Sequence, residues 1–340
     1  MLPINLISDT ITLPTASMKA AMLEAALGDD VFGEDPTVNA LQQKMARMFG
    51  IESAMFCPSG TMTNQIAIKV HTRPLDEVIC DKDSHIYLYE VGGYAYHSGI
   101  AIQLIDGVNG VINAEQIKTQ IKPIKDWLPR SKLVVLENTS NRGGGNYYEK
   151  GSIEPIKKLC QEKGMALHLD GARLFNAMTE SGESPMDFGH LFDSISICLS
   201  KGLGAPVGSV LLGTKSFIDE ARRVRKVMGG GMRQAGILAA AGIYALDNNV
   251  LRLKEDHIHA REIGIALSKC TWVDAILPVK TNIVIFGVDP EIGAETILHK
   301  LENAGIKASG FGGNNIRMVT HLDFSPEHMS EFMRILPKIA

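Results

Sequence analysis

Short apolar runs alternate with amphipathic helical stretches through most of this chain of 340 residues, and this alternation restricts the fold more than any other feature. The runs predict strands at 54–57, 77–80, 101–105, 132–136, 166–169, 194–199 and 209–212, with helices at 36–49, 60–70 and 153–163. Strands that alternate with helices predict an α/β fold with a mainly parallel sheet sandwiched by helices. Ligands bind at the carboxyl ends of such strands, so the polar residues that follow each strand are candidate site residues.

The pattern changes after Gly229-Gly230-Gly231. A long helical stretch at 234–269 breaks near Asn248-Asn249, and the sequence then predicts a strand, a helix, a strand and a helix at 281–287, 291–303, 316–320 and 326–339. We therefore predict a large domain at 1–248 and a smaller C-terminal α/β domain at 249–340.

Charge and composition argue against several classes of protein. The net charge is −4 at pH 7 and no block of Lys or Arg is present, so we expect neither nucleic acid nor a membrane surface as a partner. We find no signal peptide and no apolar run of the roughly 18 residues that a membrane span needs, so we expect a cytoplasmic protein. The five cysteines are scattered without a CxxC pair, which predicts buried free thiols and no metal site.

Lys201 follows the predicted strand at 194–199, in the run Ser200-Lys201-Gly202-Leu203-Gly204. A lysine that forms a Schiff base needs such a place, close to its carbonyl partner and partly desolvated. Taken alone, the run is more typical of a solvated loop lysine. Its glycines, continued by Gly208, resemble a dinucleotide-binding loop, but that motif requires a helix directly after it. Because a strand at 209–212 follows here, we reject a nicotinamide enzyme.

Polar residues follow three other predicted strands. Asp170 can pair with the nitrogen of a protonated pyridine ring, and Arg173 can donate to a phenolate oxygen of the same ring. The segment 58–64 offers hydroxyls and free N–H groups to a phosphate at the start of a helix. His85 can stack on a ring or act as a base. Each also has a structural alternative, namely a helix cap for Asp170 and for 58–64 and a structural histidine for His85.

Two further features lie in the C-terminal part. Arg317, in the apolar strand at 316–320, can bind a substrate carboxylate through paired hydrogen bonds, or reach solvent from an edge strand. His257 and His259 resemble a metal pair, but they fall in a charged helix, which indicates a solvated face. Taken together in chain order, a phosphate loop, a stacking His, a pyridine-binding Asp, a Schiff-base Lys and a carboxylate-binding Arg indicate a pyridoxal phosphate (PLP) enzyme.

The chain resembles the low-specificity L-threonine aldolases, PLP enzymes of the aspartate-aminotransferase fold type, over nearly its whole length. The residues that carry the resemblance are Ser8-Asp9-Thr10, 28–37, Ser59-Gly60-Thr61, Asp83-Ser84-His85, Glu137-Asn138-Thr139, Asp170-Gly171-Ala172-Arg173, Ser200-Lys201-Gly202-Leu203, 229–234 and 317–321. The resemblance implies a lyase of amino acid metabolism that cleaves L-threonine or L-allo-threonine to glycine and acetaldehyde, and so serves threonine catabolism and glycine biosynthesis.

The resemblance also implies the role of each candidate residue. Lys201 would form the Schiff base, Asp170 would bind the pyridine nitrogen and Arg173 the phenolate oxygen. His85 would stack on the ring, and the phosphate would be held by Ser59, Gly60 and Thr61, with Arg233 near the phosphate of its own or a neighbouring subunit. The substrate carboxylate would be held by Ser8, Arg173 and Arg317. His85, or a water molecule that it positions, is our candidate for the base that takes the β-hydroxyl proton. A homotetramer, arranged as a dimer of dimers, is also implied, with active sites at an interface that includes 28–36.

The chain departs from the family pattern at two loops beside the β-hydroxyl. Some members have a histidine near the position of Trp127, and others have one in the run that is Asn138-Thr139-Ser140-Asn141 here. The stereochemical preference at Cβ and the identity of the base therefore stay open. Two alternatives also stay open: another PLP enzyme of this fold, such as a β-eliminating lyase or an aminotransferase, and a non-catalytic binding protein that keeps the fold.

Overall fold

The structure, a computed structural model, describes residues 3–339, so the outer ends of the two predicted domains lie outside it. Its strands are β1 (Ile4–Asn5), β2 (Ser53–Cys57), β3 (Asp76–Asp81), β4 (Ala101–Ile105), β5 (Arg130–Glu137), β6 (Ala166–Gly171), β7 (Ser194–Cys198), β8 (Ser209–Gly213), β9 (Val273–Ile276), β10 (Ile283–Val288), β11 (Ile306–Lys307), β12 (Ser309–Gly310) and β13 (Asn315–Val319). Its helices are α1 (Ala16–Leu23), α2 (Pro36–Phe49), α3 (Gly60–His71), α4 (His85–Leu88), α5 (Gly93–Ser98), α6 (Ala114–Gln120), α7 (Lys150–Lys163), α8 (Leu174–Ser181), α9 (Pro185–Gly189), α10 (Lys215–Val227), α11 (Gly236–Asn248), α12 (Leu253–Leu267), α13 (Ala294–Asn303) and α14 (Pro326–Ile335).

The central sheet has the strand order β2-β8-β7-β6-β5-β3-β4. The neighbours from β7 to β4 all pair parallel, and β8 runs antiparallel to both β7 and β2. Successive side chains of β5 enter different apolar clusters, Val134 and Leu136 on one face and Leu133 and Val135 on the other. Strands covered on both faces read as continuous apolar runs, which is why the sequence predicts them well. The predicted α/β fold with a mainly parallel sheet is confirmed.

The C-terminal part forms a second, antiparallel sheet with the order β12-β13-β10-β9. The predicted break in the long helical stretch is present, because α11 ends at Asn248 and α12 begins at Leu253. The N-terminal strand β1 pairs with β11, and Ile4 and Leu6 belong to the apolar core of the C-terminal part. Residues 4–6 therefore pack with the smaller unit, and the domain boundary at 248 is still a prediction.

The interpretation of His257 and His259 as a solvated face is wrong for His257. Its side chain is fully buried, and its Nδ1 lies 2.9 Å from Oε2 of Glu180 while its Nε2 accepts from Asn176 at 3.2 Å. Charged residues cover the outer side of α12, but the stripe that contains His257 packs against α8. Among the cysteines, Cys270 is only half-buried and the other four are buried, all five as free thiols. In the described part of the chain, no helix has the length and apolar character needed to cross a membrane.

Asp35 joins three segments of the chain through its carboxylate. Oδ1 accepts from the N–H groups of Thr37 and Val38 at the start of α2, at 3.1 and 2.9 Å, and Oδ2 accepts from Gly28 and Gly236 at 3.2 and 2.9 Å. We expect Asp35→Ala to lower the free energy of unfolding by about 3 to 5 kcal/mol, because four N–H groups lose their acceptor at once. Denaturant unfolding of the apo protein measures this loss.

Asp219→Ala is the matched control, because this carboxylate lies exposed on α10 and, within residues 3–339, pairs only with Lys215 one turn away. We expect it to change the free energy of unfolding by less than about 0.5 kcal/mol. A loss for Asp35→Ala as small as that of the control would contradict the role given to Asp35.

Candidate active site

A cavity of about 360 Å³ lies where the carboxyl ends of the parallel strands meet the C-terminal sheet. Its lining comprises Ser8, Thr10, His85, Tyr89, Asn141, Arg173, Lys201, Ser309, Gly310, Phe311 and Arg317. Five of the residues predicted from sequence therefore meet in one place although they are far apart in the chain. A larger cavity, of about 430 Å³ beside Trp272, gathers no comparable set, so chemistry and not size selects the site.

Lys201 lies three residues beyond the end of β7, in a turn closed by a hydrogen bond from the N–H of Gly204 to the carbonyl of Lys201 at 2.8 Å. Gly204 has φ of +79°, a conformation that favours glycine. The strand β8 follows, as predicted, which is inconsistent with a dinucleotide loop. The half-buried Lys201 therefore presents its side chain to the cavity from a tightly held turn.

Arg173 is held by a residue to which no role is given from sequence, Asp9. Nε and Nη2 of Arg173 donate to Oδ2 and Oδ1 of Asp9, both at 2.7 Å, and Asn282 also donates to Oδ2 of Asp9 at 3.2 Å. Both partners are buried. Burial opposes the charge of Asp9, but the guanidinium beside it outweighs burial and holds the pKa of that carboxyl well below its usual range. Two nitrogens of Arg173 are thus occupied by Asp9, and its side chain enters the cavity in a fixed orientation.

His85 begins α4 and is oriented by two buried carboxylates. Its Nδ1 lies 3.0 Å from Oε1 of Glu90, and its backbone N–H donates to Oε2 of Glu137 at 2.7 Å. Burial alone would lower the pKa of His85, but the hydrogen bond to Glu90 raises it. Burial, followed by the nearby Asp170, raises the pKa of Glu137 to about 7. Because a carboxylate only accepts, Nδ1 carries a hydrogen, and Nε2 is the nitrogen that can accept a proton when the ring is in its neutral form.

Asp170 is the last residue but one of β6 and lies outside the cavity lining. Its Oδ2 accepts from Nδ2 of Asn64 at 2.8 Å, and its Oδ1 accepts from the N–H of Ala172 at 3.2 Å. A ring nitrogen of His85 and one carboxylate oxygen each of Glu90 and Asp170 lie within 4.8 Å of one another. Two buried carboxylates beside a ring form a strongly negative spot, which suits a cationic ring nitrogen.

The predicted phosphate loop lies at the start of α3. Oγ of Ser59 accepts from the N–H of Met62 at 3.2 Å, so this side chain caps its own helix. A Cβ on Gly60 would lie 2.5 Å from Sγ of Cys198, and this close approach brings the helix start against the end of β7, next to Lys201. Ser59 and Thr61 are exposed beside it. The helix start therefore lies near the cavity without forming part of its lining.

Two predicted site residues differ in their surroundings. Arg317 lies on β13 between β12 and β10, so the alternative of an edge strand is wrong; its Nη1 donates to Asn141 at 2.8 Å and its Nη2 to the carbonyl of Ile7 at 3.0 Å. Arg233 lies outside the cavity lining and pairs with Asp29 at 2.8 Å, within the segment 28–36. Arg317 is thus brought into the site in this chain, and Arg233 is not.

The two loops that depart from the family pattern also differ in position. Trp127 is 73% exposed and does not line the cavity. Asn141 lines it, and its backbone N–H donates to Oε1 of Glu137 at 2.9 Å. Asn141 therefore stands beside the space for a substrate, and Trp127 does not.

Comparison with known proteins shows the family of this chain. The family model of beta-eliminating lyases matches residues 5–290. A low specificity L-threonine aldolase of Escherichia coli (strain K12) is 43% identical over 330 residues, covering 96% of both chains. A probable low-specificity L-threonine aldolase 2 of Arabidopsis thaliana is 40% identical and covers 99% of this chain and 97% of that protein. The structure of a Leishmania major threonine aldolase superposes with a TM-score of 0.86 at 21% identity over 99% of this chain and all of that one.

The fold and the family match define a PLP-dependent lyase with the fold of the fold-type-I PLP enzymes. The chain belongs to the beta-eliminating lyase family and, within it, to the low-specificity L-threonine aldolases. The predicted family, fold, enzyme class and cofactor are therefore confirmed. The roles of the individual site residues are still predictions.

Proposed function

We propose that this protein cleaves L-threonine and L-allo-threonine between Cα and Cβ to give glycine and acetaldehyde. The convergence of Lys201, Arg173 and Arg317 on one cavity carries the proposal. A lysine beside two guanidiniums suits an α-amino acid as the substrate. The guanidiniums would bind the substrate carboxylate, and the lysine would hold the carbonyl cofactor with which the substrate amine must react. The similarity to L-threonine aldolases over nearly the whole chain supports the choice of substrate.

The residues around the cavity fit PLP. Lys201 would hold its aldehyde carbon, Asp170 would accept from its protonated ring nitrogen, and the start of α3 with Ser59, Gly60 and Thr61 would hold its phosphate. The negative spot of Asp170 and Glu90 and the close approach at Gly60 are the structural features that support this placement. When bound, PLP supplies the electron sink that allows a bond at Cα to break.

The substrate carboxylate would be held by Ser8, Arg173 and Arg317. Nε of Arg317 is buried and has no hydrogen-bond partner among the described residues, so a donor is available on this wall of the cavity. Burial lowers the pKa of Arg317 to about 10, which still leaves the guanidinium charged at neutral pH. Fixing the carboxylate would fix the orientation of the Cα–Cβ bond, and orientation is the main contribution that a protein makes to such a reaction.

His85 would take the proton of the β-hydroxyl, directly or through a water molecule that it positions. The bond to Glu90 holds the ring so that Nε2 is the nitrogen left to accept a proton. We expect His85→Asn to lower kcat for L-threonine by about 100-fold, because a positioned base typically contributes about 10² to 10⁴. Steady-state kinetics of the holoenzyme measure this loss.

His190→Asn is the control for this experiment, since His190 is exposed and lies outside the cavity lining. We expect it to leave kcat unchanged. Near-normal turnover by His85→Asn would remove His85 from the proposed role.

A product assay separates the proposed reaction from its rivals. Holoenzyme incubated with L-threonine should release glycine and acetaldehyde in equal amounts. Release of ammonia would indicate β-elimination, alanine formed from added pyruvate would indicate an aminotransferase, and the absence of any product would indicate a binding protein. Chiral analysis of a panel of β-hydroxy amino acids then measures the preference at Cβ.

We also propose a cytoplasmic homotetramer, a dimer of dimers with the segment 28–36 and Arg233 at an interface near the active site. Phe32 in this segment is 72% exposed and Val227 at the end of α10 is 89% exposed, and Val31 and Val227 line one surface cavity. Exposed apolar side chains gathered in this way are typical of a protein interface. Light scattering coupled to size-exclusion chromatography measures the assembly, and a monomer at micromolar concentration would contradict it.

A further inference from the structure

Four polar side chains outside the cavity lining form a hydrogen-bonded series that ends on Asp170. Asn64 donates to Oδ2 of Asp170 at 2.8 Å, and its Oδ1 lies 3.2 Å from Nε2 of His168. Nδ1 of His168 lies 2.8 Å from Oγ of Ser194, which in turn lies 2.8 Å from Nε2 of His71. Asn64, His168 and Ser194 are buried to within 1% of their surface, so solvent offers no substitute for these bonds.

The carboxylates of Asp170 and Glu90 determine which atom is the donor in each hydrogen bond of this series. Nδ2 of Asn64 donates to Asp170 and also to Oε1 of Glu90 at 2.9 Å, so both amide hydrogens are used on acceptors. The amide oxygen of Asn64 must then face His168, and Nε2 of His168 must carry a hydrogen. The other tautomer would let Nδ1 donate to the carbonyl oxygen of Ser194, 3.1 Å away, but it would place Nε2 and the amide oxygen of Asn64, two acceptors, 3.2 Å apart. The buried amide oxygen of Asn64 would then have no donor among the described residues.

The outer bonds follow the same direction. Burial lowers the pKa of His168 to about 3 and that of His71 to about 4, so each ring is neutral and carries one hydrogen. Nδ1 of His168 therefore accepts from the hydroxyl of Ser194 at 2.8 Å, although the backbone carbonyl oxygen of Ser194 also lies 3.1 Å from it, and that hydroxyl accepts from Nε2 of His71. In each hydrogen bond of this series, the donor therefore points toward Asp170 and Glu90.

We propose that His168 is a positioning residue for the reaction, which fixes the amide of Asn64 so that Asp170 is held in place to accept from the ring nitrogen of PLP. The proposal rests on the proposed pairing of Asp170 with that nitrogen. Without the hydrogen on Nε2 of His168, the amide of Asn64 is free to rotate and to turn its oxygen toward Asp170. The carboxylate then loses its fixed donor and binds the cofactor less well.

A matched pair of variants isolates this hydrogen. The amide nitrogen of glutamine reaches the place of Nε2 of histidine, whereas that of asparagine reaches only the place of Nδ1. In His168→Asn we expect the Kd for PLP to rise about 10-fold and kcat to fall about 10-fold with KM changed less than about 2-fold, as is typical when a supporting hydrogen bond is lost. In His168→Gln both values should stay within about 3-fold of the wild type.

The readouts are titration of the apo protein with PLP, the absorption spectrum of the bound cofactor, and steady-state kinetics with L-threonine. A larger effect in His168→Asn than in His168→Gln supports the proposal. Equal effects in the two variants, or a change in apo-protein melting temperature alone, would overturn it, because a merely structural histidine predicts either of these.

Two further measurements distinguish a wrong role for His168 from a wrong role for Asp170. Asp170→Asn that leaves the Kd for PLP and kcat unchanged would show that the proposed pairing of Asp170 with the ring nitrogen is wrong, whereas a large loss in Asp170→Asn with none in His168→Asn would show that only the role of His168 is wrong. A neutron structure of the wild-type holoenzyme needs no variant to fold. Deuterium on Nε2 of His168 supports the proposal, and deuterium on Nδ1 alone overturns it.

Discussion

Lys201→Ala should abolish both the covalent retention of PLP and the cleavage of L-threonine. Lys201 is the lysine that lines the cavity, at the carboxyl end of the central sheet. Loss of the group that holds the cofactor covalently should lower kcat by on the order of 10⁴-fold. Reduction of the holoenzyme with borohydride, followed by mass spectrometry of its peptides, should label Lys201 in the wild type and no lysine in the variant.

Lys215→Ala is the control for this prediction, because Lys215 is exposed at the start of α10 and pairs with Asp219. It should keep both the label on Lys201 and normal turnover. A borohydride label on another lysine in Lys201→Ala would show that Lys201 is not the Schiff-base residue.

The second large effect is expected from Asp9→Asn. The substitution keeps the shape of the side chain but removes the charge that pairs with the buried guanidinium of Arg173. An uncompensated buried charge destabilises a protein by about 3 to 5 kcal/mol, so the free energy of unfolding should fall within that range. In addition, Arg173 is no longer held toward the cavity, and kcat/KM for L-threonine should fall by about 100-fold, which corresponds to about 2.8 kcal/mol.

The chain offers a matched control in the pair of Arg252 and Asp256. Nη2 and Nη1 of Arg252 donate to the two carboxylate oxygens of Asp256 at 2.6 and 3.2 Å, and the carboxylate is buried. The pair lies at the start of α12, which Arg252 directly precedes, and outside the cavity lining. Asp256→Asn should therefore lower the stability and leave kcat/KM of the folded enzyme near that of the wild type. If both variants lower kcat/KM equally, the effect of Asp9 is one of general stability and not of the site.

Secondary structure was predictable where a segment is long and buried on a recognisable face. The seven strands of the central sheet appear at their predicted places because their apolar runs are bounded by polar residues. The helices α4, α5 and α9 are four to six residues long, too short to show the period of a helix, and packing determines them instead. The burial of His257 was missed for a related reason, because the many charged residues of α12 obscure the pattern of the few residues that face the protein interior.

The candidate site was partly predictable for a simple geometric reason. Lys201 and His85 follow strands of the central sheet, and Asp170 is the last residue but one of β6. The carboxyl ends of parallel strands meet at one edge of the sheet. Asp9 was missed although it stands in the run Ser8-Asp9-Thr10, because its partner Arg173 lies 164 residues further along the chain. Glu90 follows His85 by five residues, and a carboxylate at that spacing was the available clue.

The sequence by itself determined the fold class, the order of the strands along the chain and the reactive groups at their ends, beginning with Lys201. These properties depend on local periodicity and on the residues that interrupt it. Only the tertiary structure decided which partners hold those groups, namely Asp9 for Arg173, Glu90 for His85, and Asn64 with His168 for Asp170. Hydrogen bonds require an approach within about 3 Å and a defined angle, and segments remote in the chain meet those conditions only after the whole fold is assembled.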